Sequence, residues 1–526
     1  MPKVLISDAL SPSAVKIFQD RGVDVDLKVG IKADEIKKII AEYDGLAIRS
    51  NTKANADLIS VAKNLKVIGR AGIGVDNVDV PAATARGIVV MNTPFGNSIT
   101  TGEHAIAMMF ALARQLPEAN ASTHAGKWEK SKFMGVEVTG KTLGIIGCGN
   151  IGSIVAERAL GLKMKVIAFD PYLTTERAQQ LGVEKVELDQ LFPRADFITL
   201  HTPMTEQTRN IIDAKALAKC KKGVRIINCA RGGLIVETDL KTALESGQVA
   251  GAALDVFAEE PAKENILFGM ENVVCTPHLG ASTTEAQENV ALQVAEQMSD
   301  FLLRGAVTNA LNMPSVSAED APKLKPYIKL VEQLGSFAGQ ITTTGIKSLS
   351  ISYEGHVTTL NTRPLTNVAL MGLLRPSLDS VNAVSAPVVA KERGLKISET
   401  KQDGEGDYHT LVRLKVETEK DSFEIAGTLF SNKPRIVLIN NVVLEAELTP
   451  RMLYLRNEDK PGFIGRLGTR LGEAKINIAN FTLGRSKPGA DAVCLVSIDA
   501  DISADVLKDV SKIQGVVAVH PIKFDA

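Results

Sequence analysis

Cysteine is scarce: the chain has five in 526 residues, Cys148, Cys220, Cys229, Cys275 and Cys494, and no two form a CxxC pair. Most lie in apolar, strand-like contexts, which excludes a disulfide frame and a zinc site and predicts reduced thiols inside the cell. No uninterrupted apolar run is long enough for a membrane-spanning helix. An excess of one charge is lacking too. With 60 basic against 61 acidic side chains the formal net charge is −1, so no bulk field draws nucleic acid or a membrane surface. The opening MPKVLISDAL has neither the regions of a signal peptide nor the Arg-rich character of a transit peptide, so the expected compartment is the cytoplasm. What remains is ordinary for globular proteins, 45% hydrophobic and 23% charged. The length exceeds one core and predicts three or four domains.

Residues 1–98 alternate short apolar runs (KVLISD, GLAIRS, LKVIGR, IVVMNTP) with helix-sized stretches such as SAVKIFQDRG. That alternation predicts βαβ units on a parallel sheet. A second set opens at KTLGIIGCGNIG (141–152) and runs through KVIAFD, ADFITLHTP, VRIINCA, AALDV and VVCTPH. Between the sets, TTGEHAIAMMFALARQ (100–115) reads as one long helix, and a helical stretch at 284–303 leads back to the first domain. NMPSVSAEDAPKLKP, with three prolines and mixed charge, reads as a linker. Beyond it the pattern predicts a helix, the strand KSLSISYEG, two helices, and strands split by the polar turn TKQDGEGD. The last unit, from MLYLR, reads strand, helix (463–475), strand, strand, helix (503–513), strand, which is the ferredoxin-like order βαββαβ. The expected fold class is therefore α/β. Two doubly wound parallel-sheet domains, Rossmann-like or flavodoxin-like, precede an α+β domain and a ferredoxin-like one. The expected boundaries are 1–98 with 288–312, 99–287, 313–450 and 451–526.

A GxGxxG motif alone is a weak signal. Here Gly147, Gly149 and Gly152 follow the strand KTLGII and open the helix IGSIVAERALG, the context in which a pyrophosphate approaches a helix N-terminus. The strand VIAFD then ends on Asp170, where a carboxylate accepts both ribose hydroxyls and repels a 2′-phosphate. NAD is expected rather than NADP. The competing reading makes Asp170 the cap of the helix in LTTERAQQLG.

Three later strand ends carry polar groups: Arg231 in VRIINCARGG, Glu260 in LDVFAEEP and His278 in VVCTPHLGAST. Taken singly, each has a plain explanation. The arginine would satisfy carbonyls at a turn, Glu259–Glu260 would be a solvated pair, and the histidine a satisfied loop residue. Together they emerge on the carboxyl edge of the nucleotide-binding sheet, where ligands sit in such folds.

NCARGG, DVFxxEP and PHLGAST, in this order around GxGxxG, resemble the D-2-hydroxyacid dehydrogenase family, and the resemblance covers residues 1–312. It implies that Arg231, Glu260 and His278 are catalytic. The chemistry agrees: a planar guanidinium binds the carboxylate of a 2-hydroxy acid and touches the developing carbonyl. Histidine takes the hydroxyl proton as hydride leaves for nicotinamide, and a glutamate orients the imidazole and favours its charged form. The resemblance also implies cofactor contacts from Asn150, Ile151, Thr202, Cys229, Ala230, Asp255, Gly280 and Ala281, beside the three glycines, Asp170, Arg231 and His278.

AIRSNTK, VIGRAGIGVDNVD and MNTPFGNS resemble the substrate domain of the family's phosphoglycerate-oxidising branch. By that resemblance Arg49 and Arg70 meet a phosphate, while Asn97 and the Gly72–Gly74 backbone meet the carboxylate. Each arginine alone also reads as a surface salt bridge. GKWEKSK offers Lys130 or Lys132 for a contact to a neighbouring subunit's site, where vertebrate members have arginine. VNAVSAPVVAKERG resembles the intervening domain of long-form members, and LRNEDKPGFIGRLGTRLGEAKINIANFTLGR resembles an ACT domain, a small amino-acid-binding module. Asp459 and Pro461 precede a helix, and Gly462 lets a ligand approach its first amides. Asn457, Asp459 and Asn477 are the implied effector contacts, with L-serine the expected effector; a capping turn plus a strand-end amide is the alternative. The resemblance thus implies NAD-dependent oxidation of D-3-phosphoglycerate to 3-phosphohydroxypyruvate, the first step towards serine, in a homotetramer built from dimers. No metal, nucleic acid or membrane partner is expected. The alternatives are another D-2-hydroxyacid dehydrogenase wearing regulatory domains, or a non-catalytic corepressor on the same core, although such corepressors lack the ACT unit.

Overall fold

Val4, Leu5 and Ile6 are fully buried, as are Leu46, Ala47 and Ile48. Strands this apolar on both faces belong in a parallel sheet covered on two sides. In the computed structural model, which describes residues 1–378, 380–402 and 407–524, they build the first of four sheets. Residues 403–406 of the expected turn TKQDGEGD lie outside the described residues. The chain divides into two compact units, one of Met1–Arg70, Val75–Asn92 and Val294–Ala526, the other of Ala71–Gly74 and Thr93–Gln293.

In the first unit, β1 (Lys3–Ile6), β2 (Asp24–Leu27), β3 (Gly45–Ile48), β4 (Val67–Arg70) and β5 (Val89–Met91) pair in parallel in the order β2-β1-β3-β4-β5. This is the doubly wound order with its switch point between β1 and β3. The second unit holds β6 (Thr142–Ile146), β7 (Lys165–Phe169), β8 (Glu184–Lys185), β9 (Phe197–Leu200), β10 (Val224–Asn228), β11 (Val249–Leu254) and β12 (Val273–Cys275). They form one parallel sheet in the order β12-β11-β10-β9-β6-β7-β8. Its switch point falls between β6 and β9, so a crevice opens at their carboxyl ends. The expected long helix runs from Ser98 to Arg114.

The rest of the first unit carries two further sheets. β13 (Ile346–Gly355), β14 (Lys396–Gln402), β15 (Thr410–Thr418), β16 (Ser422–Phe430), β17 (Lys433–Ile439) and β18 (Val442–Glu447) order as β14-β13-β15-β16-β17-β18. Only the β13–β14 pairing in that sheet is parallel. Helices Ala321–Ile341 and Arg363–Leu374 cross closely because glycines meet there. A Cβ on Gly335 would lie 2.2 Å from the Ala369 carbonyl oxygen, and one on Gly372 2.5 Å from that of Glu332. β19 (Arg451–Glu458), β20 (Ile478–Arg485), β21 (Asp491–Ile498) and β22 (Val516–Lys523) order as β20-β21-β19-β22, the ferredoxin-like arrangement. Leu453 and Leu455 point to one face of this sheet, where they pack with Leu467, Leu471 and Val510 of its two helices. Tyr454 points to the other face and meets Phe337 of helix Ala321–Ile341, ring centroids 5.4 Å apart. Among the described residues no helix is long and apolar enough to cross a membrane.

The linker expected at 312–326 is in part helix. Helix Ala321–Ile341 takes up APKLKP, with one proline in its first turn and Pro326 inside. Proline removes a backbone donor and disfavours a helix interior. Here burial of Leu324, Tyr327, Leu330, Val331, Leu334 and Phe337 along one stripe outweighs that local cost. Upstream, Val316 pairs with Val307 in an antiparallel bridge.

Candidate active site

The cofactor cradle begins where β6 ends. Gly147 has φ 91°, and a Cβ there would strike the His201 carbonyl oxygen at 2.6 Å; one on Gly152 would strike the Gly147 carbonyl oxygen at 2.0 Å. Gly149 stands at the N-terminus of helix Asn150–Gly161 and faces open space. The backbone therefore closes tightly on itself at Gly147 and Gly152 and leaves room at Gly149, where a pyrophosphate would meet helix amides. Asp170 follows β7; its Oδ2 accepts the Cys148 N–H and its Oδ1 the Tyr172 N–H, both at 2.8 Å. It ties the second strand end to the glycine loop. The cap of helix Thr175–Leu181 is Thr174, whose side chain accepts the Arg177 N–H, so the competing capping role belongs to a different residue. These residues fit NAD.

Three strand ends of the same sheet supply the polar groups. After β10, the turn is shaped by buried Asn228, whose Nδ2 donates to the Arg231 carbonyl at 2.9 Å and whose Oδ1 accepts the Ala230 N–H at 3.0 Å. Arg231 donates from Nη1 to the Ala230 carbonyl at 2.7 Å. The glycine that follows has a steric cause: a Cβ on Gly232 would lie 1.7 Å from the Phe257 carbonyl oxygen. The turn after β10 is thereby pressed against the turn after β11, which carries Glu260. There the Phe257 N–H donates to Glu260 Oε1 at 3.0 Å, while Glu260 Oε2 lies 2.6 Å from His278 Nδ1. His278 follows β12 with φ 56°, and its side chain is 49% exposed.

The electrostatics follow the geometry. The hydrogen bond to Glu260 raises the His278 pKa above its ordinary value against the opposing effect of burial, and the glutamate's charge adds to the rise. For Glu260 burial pushes upward, but the hydrogen bonds from His278 and the Phe257 amide leave its carboxyl below the usual range. Burial keeps the thiols protonated, with Cys148 pushed up to about 11 and Cys229 higher still.

Beneath His278 lies an arrangement that sequence reasoning assigned only to cofactor contact. Asp255 is fully buried and accepts from the Thr276 hydroxyl at 2.5 Å, the Leu279 N–H at 2.7 Å and the Gly280 N–H at 2.8 Å. His104 of helix Ser98–Arg114 approaches it at 3.3 Å. Burial opposes the Asp255 charge, yet these donors hold its pKa below the ordinary carboxylate value. His104 and Thr276 were missed by sequence reasoning. A histidine inside the apolar stretch EHAIAMM was the available signal.

The other expected contacts distribute as follows. Asn150 and Ile151 open helix Asn150–Gly161, and Thr202 follows β9 in the crevice. Cys229 and Ala230 lead into the Arg231 turn, while Ala281 follows the amides clamped by Asp255. In the first unit, Arg49 follows β3, its N–H donating to Asp8 Oδ2 at 2.7 Å, and Arg70 ends β4. In the second unit, the Gly72 N–H donates to Thr93 Oγ1 at 2.6 Å, and Gly74 closes the same short segment. Asn97 is buried, with its Oδ1 lacking a hydrogen-bond partner among the described residues. Lys130 is exposed, and Lys132 stands 3.7 Å from Glu271. In the ferredoxin-like sheet, Asp459 Oδ2 accepts from Arg485 at 2.8 Å and from the Gly489 N–H at 3.0 Å; Asn477 donates to Asp499 at 2.6 Å. Asn457 is buried on β19 and donates to the Glu458 carbonyl.

A parallel sheet with a dinucleotide cradle, and a histidine–carboxylate pair beside an arginine on its carboxyl edge, define a dehydrogenase of small hydroxy acids. Residues 106–280 match the D-isomer specific 2-hydroxyacid dehydrogenase NAD binding domain, 323–440 the D-3-phosphoglycerate dehydrogenase intervening domain, and 451–515 the ACT domain. Relatives named D-3-phosphoglycerate dehydrogenase extend along the whole chain. One from Synechocystis sp. is 44% identical, covering 100% of this chain and 95% of its own; one from Archaeoglobus fulgidus is 42% identical, covering 98% of each. Among solved structures, a glyoxylate reductase from Paecilomyes thermophila is 30% identical with a TM-score of 0.55 over 59% of this chain and 98% of its own. D-lactate dehydrogenase from Escherichia coli is 27% identical with a TM-score of 0.52, over 59% and 99%. The chain belongs to the D-3-phosphoglycerate dehydrogenase family, in the form that carries intervening and ACT domains.

Proposed function

We propose that this chain oxidises D-3-phosphoglycerate to 3-phosphohydroxypyruvate with NAD, the first step of a phosphorylated route to serine. The observation that carries the reading is the 2.6 Å pair of His278 Nδ1 and Glu260 Oε2 on the strand edge that also bears Arg231. Glu260, as an ionised acceptor, keeps the proton on Nδ1, which leaves Nε2 as the basic ring atom. His278 Nε2 takes the proton of the C2 hydroxyl as the C2–H bond breaks. The cradle of Gly147, Gly149 and Gly152 would hold NAD, which would supply the hydride acceptor. Arg231 binds the substrate carboxylate in a fork and draws electron density from the carbonyl oxygen as it forms. Arg49 and Arg70 are assigned to the phosphate, Asn97 and the Gly72–Gly74 amides to the carboxylate, and Lys130 or Lys132 to a neighbouring subunit's site. The test is NADH formation across a panel of 2-hydroxy acids. Turnover with another member of the panel but not with D-3-phosphoglycerate would move the substrate; NADH from none would make the chain a sensor.

The ACT unit supports binding of a small effector, and L-serine is our candidate, held by Asn457, Asp459 and Asn477. Asp459 would exchange its Arg485 and Gly489 partners for the serine ammonium. Calorimetric titration of L-serine into the intact protein and into Asp459→Ala decides it: equal binding, or none to either, rejects the site. We further assign a substrate domain at 1–98 with 288–312, a cofactor domain at 99–287, an intervening domain at 313–450 and a regulatory domain at 451–526. A cytoplasmic tetramer of dimers completes the proposal, and sedimentation of the purified chain tests the assembly.

A further inference from the structure

His278 is the residue whose placement the chemistry depends on, and its own backbone does not favour that placement. Its φ of 56° lies in the left-handed region, which is strained for a non-glycine residue and persists only when neighbours impose it. The neighbours here are donors on either side. Thr276, two residues before, and Leu279 and Gly280, just after, all donate to the one Asp255 carboxylate. A fully buried carboxylate that fixes a turn in this way must itself be fixed. A further donor within reach is His104, whose Nε2 is 3.3 Å from Asp255 Oδ1 and 3.4 Å from Thr276 Oγ1. Its side chain is 18% exposed and comes from helix Ser98–Arg114, an element that holds none of the expected catalytic residues.

We propose that His104 is a positioning residue for the dehydrogenase reaction: it donates from Nε2 to Asp255, orients that carboxylate, and so sets the 276–280 turn that aims His278. This rests on the reading of His278 as the proton acceptor. The geometry separates the role from core packing. A histidine that merely filled space would need no acceptor, whereas this one reaches a charged oxygen already shared with the Thr276 hydroxyl. The charged groups around it are Asp255 at the end of β11 and, through the same turn, His278 with Glu260. On its own helix Glu103 stands 3.8 Å from Arg158 of helix Asn150–Gly161.

The test compares His104→Gln, which keeps a donor at the reach of Nε2, with His104→Leu and His104→Met, which keep the volume and lose the donor. Turnover should fall about 10- to 100-fold in the apolar variants, the scale of a slight misplacement of a catalytic group, while glutamine restores most of it. The pH profile supplies a readout that packing alone would not move. Without the donor, Asp255 presents more negative charge to His278, which holds its proton more tightly, so the acidic limb of kcat shifts to higher pH. Parent-like turnover and pH profile in both apolar variants would overturn the proposal. So would a glutamine variant as slow as they are at an unchanged melting temperature. Parent-like turnover in His278→Ala would overturn the catalytic reading itself, and this inference with it.

Discussion

An alanine at position 232 would place its Cβ 1.7 Å from the Phe257 carbonyl oxygen, too close for any side-chain rotation to relieve. The turns bearing Arg231 and Glu260 would have to part. Gly232→Ala should therefore lose about 10²-fold in kcat, as expected for a displacement near an ångström, with an unchanged far-ultraviolet spectrum; steady-state kinetics on the folded variant checks it. Arg231→Lys should lose at least the ~10²–10³ typical of one positioned electrostatic donor, because a point ammonium cannot make the forked contact. Near-native kinetics there would remove the clamp assignment. Glu260→Gln tests the pair through pH. Glu260 raises the His278 pKa, and in the proposed role His278 acts as the neutral imidazole, so removing the charge extends the neutral form to lower pH. The acidic limb of kcat/KM should move downward; an unmoved limb would reassign the partner to Glu259 or to neither.

At the level of elements, strand ends were legible because two sequence signals coincide there: an apolar run stops and a glycine or polar residue follows. Gly147, Asp170, Arg231 and His278 all sit at such stops. The Asp255 clamp was not legible, since His104 and Thr276 are 172 positions apart and no periodicity links a helix interior to a strand end. The region after residue 312 misled for the opposite reason. Its prolines signal local irregularity, and only the distant partners of Leu330, Leu334 and Phe337 override them. Asp170 gives a prediction at this scale, because its carboxylate bridges the end of β7 to the glycine loop. Asp170→Ala should lower the ratio of kcat/KM for NAD over NADP; an unmoved ratio would confine Asp170 to holding the Cys148 and Tyr172 amides. The glycine crossing gives another. Gly335→Ala drives a methyl towards the Ala369 carbonyl and should cost about 1–3 kcal/mol by overpacking, read as a lower melting temperature with kcat unchanged.

Across the whole molecule, the expected boundary at 450/451 runs between two modules that share a wall. Phe337 of helix Ala321–Ile341 meets Tyr454, and Gln340 of the same helix pairs with the backbone of Lys523, accepting its N–H at 2.9 Å and donating to its carbonyl at 2.8 Å. Opposite Tyr454 in the sheet stand Leu495 and His520, so a helix that precedes the ACT sheet by more than a hundred residues packs on one of its faces, beside Phe423 of β16. Anyone grafting this sensor onto another enzyme by cutting at residue 451 would carry across a sheet with one side stripped. The transplantable cassette begins instead near residue 321 and includes the six-stranded sheet, so the sensor and its neighbour travel as a single part.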